Sequence, residues 1–217
     1  MRAHNSLNMN ETIDFFVTPY ASATTAQITV EILAVLLGIL SVIYAKKGNI
    51  LVFPTGIIST VLYVHICYQF TLYGDVIINV YYTLMSLYGW YLWKYKIGGQ
   101  SLAISKSNVA DWNKALGIFI STAAFVVVVY LYFDRFDRMT DYFDTLTTGV
   151  FFAAMWLMAH KKIEHWLFWI VGNLISVPLY FVKELGFSGL QFTVFLILAI
   201  QGYIQWKKHL YKSKLTV

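Results

Sequence analysis

Charge is scarce in this sequence: 12% of its 217 residues are Asp, Glu, Lys or Arg, about half the share found in ordinary soluble domains. With 59% of residues hydrophobic and a mean hydropathy of +0.62, a water-soluble globule is excluded. Cysteine is nearly absent. Cys67 stands alone, so the chain holds no intrachain disulfide, thiolate zinc site or CxxC redox pair. Arginine occurs only as Arg2, Arg135 and Arg138, outside the apolar runs, and no P-loop, HExxH, GxSxG or paired-aspartate motif is present. The chain therefore reads as neither an enzyme nor a nucleotide-driven pump, and no cofactor is expected.

What the sequence has instead is long apolar runs. Spans are predicted at 28–45, 50–68, 75–93, 115–133, 143–159, 164–182 and 188–206, each near the length that crosses ~30 Å of hydrocarbon. The fold class is thus an all-α polytopic membrane protein in a lipid bilayer. Residues 1–26 lack a continuous apolar core and do not read as a signal peptide; Met1 and Met9 both remain candidate starts. Lysines account for the net charge of +5. Lys46, Lys47, Lys94, Lys96, Lys106, Lys114, Lys161, Lys162, Lys207, Lys208, Lys212 and Lys214 all fall in alternate connections. The opposite side holds Arg2, the turn 69–74, the mixed segment 134–138 and Lys183–Glu184. By the positive-inside rule the N-terminus is outside and the C-terminus cytoplasmic. Topology thus explains the basic pI of about 9.1, and no nucleic-acid partner is implied.

The first three spans resemble the last three. Lys46-Lys47 match Lys161-Lys162, Phe53-Pro54-Thr55-Gly56 match the segment from Phe168 to Gly172, Gly74 matches Gly189, and the segment from Gly89 to Lys94 matches that from Gly202 to Lys207. Glu31 and Asp144 also correspond. An unpaired fourth helix lets both triplets face the same way, a 3+1+3 parallel repeat. The organisation is then 1–26 an outer segment, 27–95 the first triplet, 96–141 a cytoplasmic loop with the linking helix and an outer loop, 142–208 the second triplet and 209–217 a cytoplasmic tail.

Polar residues form stripes. Trp166, Trp169, Asn173, Ser176 and Tyr180 recur at intervals of three and four, hence on one helix face. Asn79, Thr83, Ser86, Trp90 and Trp93 do the same in the third span, and Gln191, Gln201 and Gln205 are assigned to one stripe of the seventh. An amide at mid-membrane fits an internal cavity, though it also fits helix-to-helix hydrogen bonding. Trp166 suits an aromatic belt equally well, and Trp93, Gln205 and Trp206 suit it better. Pro54 and Pro178 read as either hinges or plain kinks. Glu31 is an open candidate for a proton relay, whereas Asp144 reads as the N-cap of the fifth helix. With no Arg or Lys inside a span, the ligand is expected to be neutral or cationic and not phosphorylated. Trp and Tyr faces suit a flat cation, so the expected partner is a cationic vitamin or nucleoside.

Tyr88-Gly89-Trp90-Tyr91-Leu92-Trp93, the WxxWxxxN run Trp166 to Asn173 with Ile175-Ser176-Val177, and the closing segment from Gly202 to Trp206 resemble the PnuC family of nicotinamide riboside transporters, from about Val30 to Lys208. The resemblance implies a bundle similar to the SWEET sugar transporters, a homotrimer in the bacterial inner membrane, and facilitated diffusion of substrate trapped by a cytoplasmic kinase. It assigns Trp166, Trp169 and Asn173 to substrate, and Asn79, Gln191 and Gln201 more loosely. Tyr180 and Trp90 join them from the stripes. A thiamine-transporting branch of the same fold and proton-coupled transport remain alternatives.

Overall fold

The computed structural model describes residues 23–70, 73–95, 102–133, 139–182 and 185–215. Arg2, Lys96, the segment 134–138 and the pair 183–184, which carry part of the charge reading, lie outside the described residues. Among those described, seven helices follow one another: α1 Thr25–Lys46, α2 Val52–Gln69, α3 Tyr73–Lys94, α4 Val109–Tyr132, α5 Met139–Ala159, α6 His165–Val182 and α7 Gly186–Leu215. By length and apolar composition α1, α2, α4, α6 and α7 qualify as membrane spans. The other two are long enough, with 22 residues in α3 and 21 in α5. They are more polar because α3 carries Asp75 and Asn79, and α5 carries Asp141, Asp144 and a run of threonines.

Three boundaries differ clearly from the sequence expectation: α7 runs on to Leu215, through most of the expected tail 209–217, and two helix starts move for local reasons. Asn108 caps α4 in a reciprocal box with Asp111, which starts the helix well before residue 115. Asp144 is not a cap. It lies inside α5, which starts at Met139, and its carbonyl accepts from Thr148 Oγ1 at 2.7 Å. Pro54 falls in the first turn of α2, where a missing N–H costs nothing, whereas Pro178 sits within α6.

The helices close into a ring. α2 packs between α1 and α3, α6 packs between α5 and α7, and the two triplets meet where α1 touches α7 and α3 touches α5. α4 packs chiefly on α5, outside the ring. Small side chains allow the close approach: Ser59 Oγ donates to the Ala34 carbonyl and Ser41 Oγ to the Val52 carbonyl, both at 2.7 Å, between α1 and α2.

The repeat is visible in the contacts at the lysine-rich end. A Cβ on Gly89 would lie 2.5 Å from the Phe53 ring, and a Cβ on Gly202 would lie 2.5 Å from the Trp166 ring. Phe53 meets Trp93 edge-on at 4.9 Å, as Trp166 meets Trp206 at 5.8 Å. Trp93 Nε1 donates to the Ala159 carbonyl ending α5, and Trp206 Nε1 to the Lys46 carbonyl ending α1, each at 3.1 Å, the latter shared with the Ala45 carbonyl. All these pairs share one offset in the chain.

That offset corrects the matching of the turns. Gly48 N donates to Ala45 O and Asn49 N to Tyr44 O; Lys161 N donates to Met158 O and Lys162 N to Leu157 O. The counterpart of Lys161 is therefore Gly48, not Lys46, and Trp166 corresponds to Phe53. Both turn residues are left-handed, Gly48 at φ 64° and Lys161 at φ 51°. A lysine there costs roughly 1–2 kcal/mol. Its side chain recovers contacts: Nζ donates to the Leu102 carbonyl at 2.9 Å and lies 4.2 Å from the centre of the Trp93 ring. Burial pushes this ammonium below its usual pKa.

Candidate functional site

The α6 stripe faces inward over its whole length. Trp166, Asn173 and Ser176 are 2%, 1% and 1% exposed, whereas Trp169 and Tyr180 are half-buried. The opposite face, with Leu167, Val171 and Leu174, is exposed and apolar, as lipid contact requires. One buried polar atom on the stripe stands out. Asn173 Oδ1 has no hydrogen-bond partner among the described residues. An unsatisfied acceptor in a dry interior costs about 1–3 kcal/mol, so a residue placed there for packing alone would be apolar.

A column of near-parallel rings runs beside Asn173 and Ser176. Trp169 stacks on Phe151 of α5 at 5.1 Å and 27°, and Phe151 faces Phe192 of α7 at 6.1 Å and 14°. Phe192 in turn stacks on Tyr180 at 4.7 Å and 24°. Gly172, which has no side chain, leaves room for the Phe151 ring against α6. Tyr82 of α3 closes the side, 6.4 Å from Trp169. Phe151, Phe192 and Tyr82 were not identified from sequence, because an aromatic in an apolar run looks alike whether it faces lipid or the interior. Gly172 was the available signal, since a glycine within a packed helix marks where a large neighbour enters.

The remaining expected residues separate into three groups. Gln191 lies on α7 away from the lysine-rich end and accepts from Tyr63 of α2 at 3.2 Å, linking the two triplets. Asn79 is half-buried on α3, its Nδ2 donating to the Asp75 carbonyl one turn earlier, while its own carbonyl accepts from Thr83. Thr83 joins Thr60 of α2 at 2.7 Å. Trp166 and Trp90 belong to the aromatic cluster at the lysine-rich end, with Phe53, Trp93 and Trp206. Trp166 is sealed there, its Nε1 buried without a partner among the described residues. Gln201 is exposed and accepts from Lys46 Nζ at 2.8 Å. The structure thus gathers Trp169, Asn173 and Tyr180 with the ring column, and places Gln201 away from it.

Comparison with known proteins adds four findings. The family described as "Nicotinamide mononucleotide transporter" matches residues 28–208. The nicotinamide riboside transporter PnuC of Neisseria mucosa is 28% identical over 190 residues, 81% of this chain and 70% of that one. The riboflavin/roseoflavin transporter RibM of Streptomyces davaonensis is 28% identical over 128 residues, 56% of this chain and 58% of its own. Among solved structures, a crystal structure of the vitamin B3 transporter PnuC superposes with a TM-score of 0.65 at 23% identity, covering 88% of this chain and 85% of the other. That likeness carries the fold.

Proposed function

Because the chain belongs to the nicotinamide mononucleotide transporter family, a family of multi-pass membrane transporters and not of enzymes, we propose that its substrate is nicotinamide riboside. The observation that supports this most directly is the orphaned Asn173 Oδ1 beside the column of rings. A flat pyridinium fits between aromatic faces, where a desolvated cation gains ~2 kcal/mol, and its carboxamide N–H is the donor that Asn173 lacks. The pair Phe151 and Phe192, the widest gap in the column, is where the ring enters.

The unphosphorylated nucleoside is preferred over the mononucleotide for a reason of charge. The described spans place no Arg or Lys near the column, and a buried phosphate needs such a partner. Trp169, Asn173 and Tyr180 carry the ring, while Gln191 and Asn79 read polar groups from the facing helices. Trp166, Trp90 and Gln201 form the closure on the lysine-rich side. Transport is by facilitated diffusion, with the two triplets rocking about the site and a cytoplasmic kinase trapping the product. The assembly is a homotrimer in the bacterial inner membrane, N-terminus outside and C-terminus cytoplasmic.

The resemblance to RibM gives a second reading, a larger flat vitamin such as a flavin. Calorimetry of detergent-purified protein with nicotinamide riboside, thiamine and riboflavin separates them. Tight binding of nicotinamide riboside alone is expected; preference for either other vitamin replaces the substrate while leaving the fold untouched.

A further inference from the structure

Outside the ring, α4 leaves a groove of about 400 Å³ against α3 and α5, walled by Tyr81, Met85, Ile118, Phe125, Phe152 and Trp156. None of its lining residues belongs to the ring column, although Tyr81 and Phe152 pack on Tyr82, which flanks it. Two of the groove's polar walls are already engaged, since Tyr81 Oη donates to the Phe152 carbonyl at 3.0 Å and Ser121 Oγ to the Ile118 carbonyl at 3.1 Å. A polar ligand would find little to bind, whereas an apolar chain would.

The groove has a charged end. Ile118 and Phe125 lie about 6 and 16 Å along α4 from Lys114, so the groove descends from the lysine-rich surface into the hydrocarbon. Lys114 is exposed, with Nζ 5.8 Å from the centre of the Trp156 ring that walls the groove. Asp111, one turn earlier, does not neutralise it, being held by Lys162 at 2.9 Å. His160 packs tilted against the Trp156 ring at 4.2 Å and meets Tyr88 Oη at 3.3 Å, adding polar groups at the same level. We propose that this groove binds an anionic phospholipid, one acyl chain lying between α3 and α4 and the headgroup phosphate resting on Lys114. A second copy of this chain is a poorer occupant, because a helix about 10 Å across cannot enter a slot of this volume.

The test is native mass spectrometry of the detergent-purified full chain with phosphatidylglycerol and phosphatidylcholine of identical acyl chains. Phosphatidylglycerol should be retained about fivefold more than phosphatidylcholine, and Lys114→Glu should abolish that preference. Ser121→Trp, which fills the groove, should lose the first lipid of either kind; Ser121→Leu repeats the test if the larger side chain prevents folding. Equal retention of the two lipids by the unmodified chain overturns the proposal, as does a preference that survives Lys114→Glu. A groove-filling variant that alters the number of copies per particle but retains its lipid also overturns it, and makes the groove a contact between copies.

Discussion

Trp206, near the lysine-rich end of α7, donates its indole N–H to the carbonyl of Ala45 at 3.1 Å and so fastens the second triplet onto the last turn of α1. Trp93 does the reverse, reaching from α3 to Ala159 of α5. With Phe53 and Trp166 packed edge-on against them, the lysine-rich end of the ring is shut by two symmetric clasps. An alternating-access cycle has to open both.

The clasps predict a measurable coupling. Trp93→Phe removes one buried hydrogen bond and Trp206→Phe one shared between the Ala45 and Lys46 carbonyls, and each should cost about 0.5–1.5 kcal/mol in thermal unfolding. The two rings lie 6.4 Å apart, so the double variant should depart from additivity by at least ~0.5 kcal/mol. Strict additivity would mean the clasps act independently.

Gly202→Ala should destabilise by about 1–3 kcal/mol, since its Cβ would meet the Trp166 ring at 2.5 Å and that ring is sealed in the core. Adding Trp166→Phe should restore part of the loss. Gly89→Ala against Phe53 is the matching experiment in the first triplet, read by the same melting curves.

Asn173→Leu should leave the melting temperature unchanged or higher, because it removes a buried acceptor that has no partner in the fold among the described residues. Nicotinamide riboside binding, measured by calorimetry, should weaken about 10-fold or more. Unchanged affinity would remove Asn173 from the site.

Lys161→Ala should be less stable than Lys161→Gly. Both lose the hydrogen bond to Leu102 and the contact with Trp93, but only alanine keeps the left-handed strain at φ 51°. A difference of roughly 1 kcal/mol in denaturation is expected.

Uptake of nicotinamide riboside into vesicles should not change with an imposed pH gradient, nor in Glu31→Gln, if transport is facilitated diffusion. Stimulation by an inward proton gradient that is lost in Glu31→Gln would establish proton coupling.

Much of the fold was legible because its signals are local. Apolar length marked the crossings, and Gly89 to Lys94 against Gly202 to Lys207 aligned at the true offset because both the glycine and the tryptophan are packing requirements. The turns misaligned because pairs of lysine were matched by identity, whereas the structure equates residues by backbone hand, Gly48 with Lys161. Gln191 and Gln201 were given one stripe, yet ten residues turn a helix by about 1000° and leave the two roughly 80° and 15 Å apart. At the site, the α6 stripe was readable from its spacing. Phe151 and Phe192 were not, because their role comes from facing helices meeting across the ring.

The placement of α4 has a consequence for how such a chain can arise. Every wall of the ring belongs to one triplet or the other, and α4 contributes to none of the contacts that close it. Two copies of a single three-helix ancestor could assemble the same ring without it. What duplication into one polypeptide demands is one more crossing, so that the second copy enters the bilayer from the same side as the first. On this view α4 is the trace of a gene fusion, free to diverge and to acquire a surface of its own.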